Sequence, residues 1–236
     1  MELSREVSKA KDKSKAKRVR GIKSISFSGF LVYIVLPLIP ILVFWFIPMI
    51  ASFLLSFTDW DYISPTFNVV GAQNYKDILS SDAFWQALKN TLLFGLGTVV
   101  PTLIFGFLMA ILIDKIRRGK ELIQGFLFAP WITPMVAMSI VWSWMFRPDI
   151  GLINRGLAIF GISGPNWLTD SNTALIAVMI VTVWKTSGWC MLYYADSISK
   201  IPKDLFEAYE LEGSSVWQKI KYIYMPMTSK TTLFLA

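Results

Sequence analysis

Residues 91–113 read Thr-Leu-Leu-Phe-Gly-Leu-Gly-Thr-Val-Val-Pro-Thr-Leu-Ile-Phe-Gly-Phe-Leu-Met-Ala-Ile-Leu-Ile and contain no charged side chain. At about 1.5 Å per residue, a helix of this length crosses a hydrocarbon core of ~30 Å. Three further blocks have the same character, at about 30–56, 123–146 and 173–195, and another begins at Thr231. Pro37, Pro40, Pro48, Pro130 and Pro134 fall inside these blocks. Membrane helices tolerate such residues when neighbours satisfy the freed carbonyls. The expected fold class is an all-α membrane protein. The fifth block ends at Ala236 just after it begins, which leads us to expect truncation within a fifth span.

Composition agrees. Hydrophobic residues make up 54% and charged residues 17% of the 236, against about 25% charged in a soluble domain. Histidine is absent and Cys190 is the single cysteine. The commonest general base is therefore missing, and no internal disulfide or cysteine-based zinc site can form. Cys190 lies in an apolar run and reads as a small packing residue.

Charge is unevenly spread. Residues 1–29 carry nine Lys/Arg against three acids. Nucleic-acid binding is conceivable for such a tail, but a basic leader before a membrane span fits better. The apolar run from Phe30 is too long for a cleaved signal. The tail, the 114–122 loop and the 196–232 segment hold nine, four and five Lys/Arg. The 58–90 and 147–172 loops hold two each. The positive-inside rule places the first set, with the N-terminus, in the cytoplasm. Trp60, Tyr62, Trp85, Trp142, Trp144 and Trp167 lie near outer span ends, as an aromatic belt or as contacts for an external partner or sugar ring.

The chain shows no chemistry of its own. Gly119-Lys120 is followed by Glu121 and lacks the upstream glycine of a phosphate loop. Without histidine no nucleophile–base pair can be drawn, and no acidic cluster lies within a span. No enzyme activity, cofactor or metal is expected in this chain. Were such a membrane chain to move a solute actively, the energy would have to come from a partner or an ion gradient.

Segment 196–228 differs from its surroundings. Pro202 suits a first helical position, Asp204 the positive end of a helix dipole and Gly213 a helix stop, so 202–212 forms a short helix. Ser215 and Gln218 have capping-box spacing for a second helix, limited by Pro226. Local physics alone suggests a pair of interfacial helices. The spacing Glu207-Ala208, Gly213, Ile220, Ile223 and Met225-Pro226 resembles the EAA loop of ABC importer permeases, with Tyr209 in place of the second alanine and Met225 in place of leucine.

Weaker matches follow in that family's order, and they resemble its carbohydrate-uptake branch, the maltose/glycerol-phosphate-like permeases. They include Ser56-Phe57-Thr58-Asp59-Trp60, Asn74-Tyr75, Phe146-Arg147-Pro148-Asp149 and Val183-Trp184-Lys185. The resemblance implies a six-span type I ABC importer permease core over 30–236, in a bacterial cytoplasmic (inner) membrane. It also implies a second homologous permease, a dimer of ATP-binding subunits that would hold ATP and Mg, and an extracytoplasmic solute-binding protein. Segment 196–228 would dock on the ATPase. There Ala208 and Gly213 allow close approach, Leu205, Tyr209 and Leu211 form an apolar knob, and Glu207 pairs with a basic residue.

Lys185 lies near the middle of the fourth block, where a charge is expensive. Either it pairs with a neighbouring span or with carbonyls, or it lines a solute path with Trp184, Ser187 and Gly188, the latter two widening the cavity. The alternative to ATP-driven import is an ion-gradient-driven secondary carrier, which would call for intramembrane acidic relays or inverted repeats.

Overall fold

The computed structural model describes residues 27–211, 213 and 215–236. Most of the basic tail lies outside the described residues. The described elements are helical, apart from a single isolated antiparallel bridge between Thr58 and Val69. Residues 1–81 and 82–236 form two units.

In the first unit, α1 (Phe27–Ile41) runs through a π turn, Leu42–Phe46, into α2 (Ile47–Leu55). Leu31–Leu55 is long and apolar enough to cross a membrane, and its side chains are exposed along its length. The π turn has a local cause. The Ile47 N–H donates to the carbonyl of Leu42, five residues back, just before Pro48. A proline cannot donate to the carbonyl four residues back, and the wider turn gives its ring room. The turn that follows is tied by its own polar groups. Asn74 Nδ2 donates to the carbonyls of Ser56 (2.9 Å) and Thr58 (2.8 Å), and Asn68 N donates to Asp59 Oδ1 at 2.6 Å. A short helix, α3 (Gln73–Leu79), ends the unit.

The second unit is built around α4 (Asp82–Asp114) and α8 (Ala174–Ser199), which pack along each other. At 33 residues, α4 is about 50 Å long and outruns the bilayer. It begins nine residues ahead of the charge-free block because Asp82 favours a helix start. Pro101 sits inside it without breaking it. Small residues let the two helices approach. A Cβ on Gly106 would lie 2.7 Å from Cys190 Cβ and 3.1 Å from the Met191 backbone nitrogen. Membrane helices associate by such contacts because lipid supplies no hydrophobic drive between them.

The third apolar block is not one straight span. It divides into α5 (Lys120–Ile132) and α6 (Met135–Met145), bent by 93° at Thr133-Pro134. Thr133 is extended, as expected for a residue before proline. Next, α7 (Leu152–Ile159) lies in the turn between α6 and α8, held by Asn154. Its amide donates to the carbonyls of Pro148 and Pro165, both at 3.2 Å, and its Oδ1 accepts from Trp167 Nε1 at 2.7 Å. Trp167 is thus part of the turn's internal scaffold.

Two short helices follow α8: α9 (Lys203–Leu211) and α10 (Val216–Lys219). Gly213 takes a left-handed φ of 68°, as its helix-stopping position requires. The expected capping box forms, with Ser215 N donating to Gln218 Oε1 (2.7 Å) and Gln218 N to Ser215 Oγ (3.3 Å). Pro226 does not end the second helix. A π turn at Ile220–Tyr224 precedes α11 (Met225–Met227), and the Met225 N–H donates back to Ile220. This repeats the arrangement ahead of Pro48. After Thr228 comes α12 (Ser229–Leu235).

Candidate functional site

Two regions concentrate the expected site residues. The first is the bend between α5 and α6. A helix ending at an extended Thr133 followed by Pro134 leaves its last carbonyls without intrahelical partners. Lys185 of α8 supplies them. Its Nζ donates to the carbonyls of Pro130 (3.0 Å), Trp131 (3.1 Å) and Thr133 (2.8 Å). Thr133 Oγ1 donates to the Ala129 carbonyl at 2.9 Å. An ammonium has three donors, and all three are used here. Its charge also faces the negative end of the α5 dipole. Of the two roles open for Lys185, pairing with carbonyls is the one its geometry displays.

The neighbours expected with Lys185 do different work. A Cβ on Gly188 would lie 1.9 Å from the Leu127 carbonyl oxygen and 3.1 Å from Phe128 Cα. Gly188 is the crossing point of α5 and α8, where the lack of a side chain lets the two helices touch. Ser187 donates to the Val183 carbonyl and is buried. Trp184 meets Trp142 edge to face with ring centroids 5.4 Å apart. Trp184, Ser187 and Gly188 line a cavity of about 720 Å³ between α4, α5 and α8, whose other walls include Phe105, Met109 and Phe126. That lining is almost wholly apolar, and Lys185 is not part of it.

Another face of α8 carries threonines and a tryptophan. Thr182, Thr186 and Trp189 meet Thr98 and Thr102 of α4 and Trp131 of α5 around a cavity of about 220 Å³. The hydroxyls of Thr102 and Thr186 are 3.0 Å apart. Trp131 and Trp189 stack at 5.3 Å with 25° between planes, and rings continue from Trp189 to Tyr193 (4.7 Å) and on to Phe234 (5.7 Å). Sequence analysis missed this set. The i, i+4 spacing of Thr98/Thr102 and Thr182/Thr186 was its available signal. The Thr98, Thr182 and Thr186 hydroxyls donate to carbonyls one turn back in their own helices, so they present acceptor lone pairs beside the ring faces.

The second region is the α9–α10 segment. Phe206 and Tyr209 are half-buried against a cluster formed by Ala110 and Ile113 of α4, Met191, Tyr194 and Ile198 of α8, and Ile223 and Tyr224. Leu205, Glu207, Ala208 and Leu211 are exposed, Leu211 to 90%. Advancing by about 100° per residue puts Glu207, Ala208 and Leu211 opposite the Phe206/Tyr209 face. Tyr209 therefore belongs to the inward face and not to an outward apolar knob. Phe206, missed in the sequence, shares that face through its i, i+3 relation to Tyr209. Below them Tyr194 Oη donates to Thr232 Oγ1 at 3.0 Å, and the buried Thr228 hydroxyl donates to the Tyr224 carbonyl at 2.8 Å. No group of three or more Cys, His, Asp or Glu that could hold a metal occurs among the described residues.

Comparison with known proteins gives one consistent result. Residues 102–236 match the family described as binding-protein-dependent transport system inner membrane component. A probable ABC transporter permease protein of Pyrococcus horikoshii is 32% identical over 207 residues, 85% of this chain and 71% of that protein. The trehalose/maltose transport system permease protein of Thermococcus litoralis is 30% identical over 82% of this chain and 66% of its own length. A chain of a bacterial ABC transporter involved in import of the acidic polysaccharide alginate has the same fold, with a TM-score of 0.74 at 23% identity, over 90% of this chain and 72% of that one. The same likeness holds, at a TM-score of 0.73 and 24% identity, for the alginate transporter in complex with an alginate pentasaccharide-bound periplasmic protein.

Proposed function

We propose a role for this chain from one premise: it belongs to the family of binding-protein-dependent transport system inner membrane components. It is a multi-pass permease subunit of an ATP-driven importer, and its solute is a sugar or sugar-like molecule delivered by a binding protein. The ion-gradient carrier has no comparable support. Relatives named for trehalose/maltose, xylose/arabinose and lactose support the solute class, as does the Thr/Trp wall between α4 and α8. The chain hydrolyses nothing itself. ATP and Mg bind to a pair of partner subunits, and a second permease completes the path across the inner membrane, with the N-terminus in the cytoplasm.

The observation that carries the coupling role is the split of α9 into two faces. Phe206 and Tyr209 root it in the bundle, while Glu207, Ala208 and Leu211 are presented outward. A short helix held on one side and bare on the other is a lever for a rigid-body switch driven by a ligand that favours one state. Leu205, Ala208, Leu211 and Gly213 would sit in a cleft of the ATPase, with Glu207 paired to a basic residue there. Reconstitution of this chain with its second permease, ATPase and binding protein tests the role. Uptake of a labelled sugar should rise with binding-protein-stimulated ATP hydrolysis. Uptake that persists without the ATPase and follows an imposed ion gradient refutes it.

A further inference from the structure

We propose that Phe206 and Tyr224 are positioning residues, a ring-on-ring link that carries displacement of α9 directly to the cytoplasmic ends of α4 and α5. This rests on the coupling role proposed above and goes beyond the outward residues that would touch an ATPase.

The link is continuous. The Phe206 and Tyr224 rings lie 5.3 Å apart at 46°. Tyr224 is buried in the cluster that includes Ala110 and Ile113 of α4 and Ile198 of α8. Its backbone is pinned by the Thr228 hydroxyl and by the π turn that ends at it. The Asp114 carboxylate, at the last residue of α4, is the charged group that acts on the Tyr224 phenol. Burial first, and then this carboxylate, push the phenol above its ordinary value. Asp114 lies 3.9 Å from Nζ of Lys120, the first residue of α5. One side chain of α9 thus reaches the ends of two helices through one buried ring.

Packed interiors switch between discrete arrangements and do not deform smoothly. A push on α9 would then move Tyr224, α4 and α5 as one body, and α5 ends at the Lys185-capped bend beside Trp131 of the Thr/Trp wall. The same push would be absorbed locally if the ring contact were missing.

The test uses the complete reconstituted importer with three readouts: basal ATP hydrolysis, its stimulation by loaded binding protein, and solute imported per ATP. Phe206→Ala should assemble and keep basal hydrolysis. Stimulation and solute per ATP should fall about 2- to 10-fold, the scale set by losing one aromatic pair. Phe206→Tyr should restore both. Tyr224→Phe keeps the ring and loses the hydroxyl, so its loss should be smaller. Phe206→Ala combined with Tyr224→Phe should be no worse than Phe206→Ala alone, because both interrupt one path. Unchanged solute per ATP in Phe206→Ala overturns the proposal. If Phe206→Ala does not assemble, Phe206→Leu keeps the volume filled without the ring, and unchanged coupling in it overturns the proposal equally. A wild-type chain that recruits no ATPase would instead overturn the coupling role itself.

Discussion

Replacing Lys185 with methionine separates a structural lysine from a solute-binding one. The ammonium makes three charge-assisted bonds, of 2.8–3.1 Å, to the carbonyls at the end of α5. Each is worth roughly 1.5–3 kcal/mol, or about 4.5–9 together. Methionine recovers the cost of placing a lysine at membrane depth, about 2.5–3.5 kcal/mol. The net loss is therefore about 1–6.5 kcal/mol. With roughly 2–4 °C per kcal/mol for a chain of this size, a mid-range loss of about 3 kcal/mol lowers Tm by about 6–12 °C. Thermal unfolding of the purified complex in detergent measures it, and chymotrypsin cleavage after Trp131 should accelerate in parallel. Lys185→Arg keeps a charged donor and should recover much of the loss. An unchanged Tm combined with lost uptake would refute the reasoning and assign Lys185 to the solute instead.

Four other outcomes are expected. Gly188→Ala forces a methyl against the Leu127 carbonyl and should cost about 1–3 kcal/mol by overpacking, whereas Gly156→Ala, with open space around it, should leave Tm unchanged or slightly raised. Leu211→Ala removes an exposed side chain, so Tm should hold while affinity for the ATPase falls by about 1.5–3 kcal/mol, roughly 10- to 100-fold, in a titration of the two purified parts. Thr186→Val and Trp189→Ala change the hydroxyl–aromatic wall and should lower the maximal sugar uptake rate at saturating binding protein without altering ATPase recruitment. In the turn after α2, hydrogen bonds from Asn68 to Asp59 and from Ser64 and Ile63 to Asp61 hold both carboxyls below the ordinary aspartate value of 3.8. Their stabilisation is therefore full above that value and lost as pH falls below it, so limited proteolysis of residues 56–75 should accelerate only under those acidic conditions.

Much of this protein was legible in one dimension because membrane insertion is decided locally. Charge-free runs as long as 91–113 have few alternatives to a spanning helix, and the capping box at Ser215 and the stop at Gly213 follow from bonds made within a few residues. The spacing from Glu207 to Pro226 was enough to suggest a family, since spacing survives substitutions such as Tyr209 and Met225. Which side of a helix faces what was not local. Tyr209 turned inward because Phe206 and the α4–α8 cluster lie on that side. Lys185 found the end of α5, 52 to 55 residues away, because the bend at Pro134 left carbonyls that only a crossing helix could reach. The Thr/Trp wall joins α4, α5 and α8, and such a surface exists only once those helices pack. Apolar periodicity specifies that these helices form and span; the pairing of their polar groups in a medium without water specifies how they face one another.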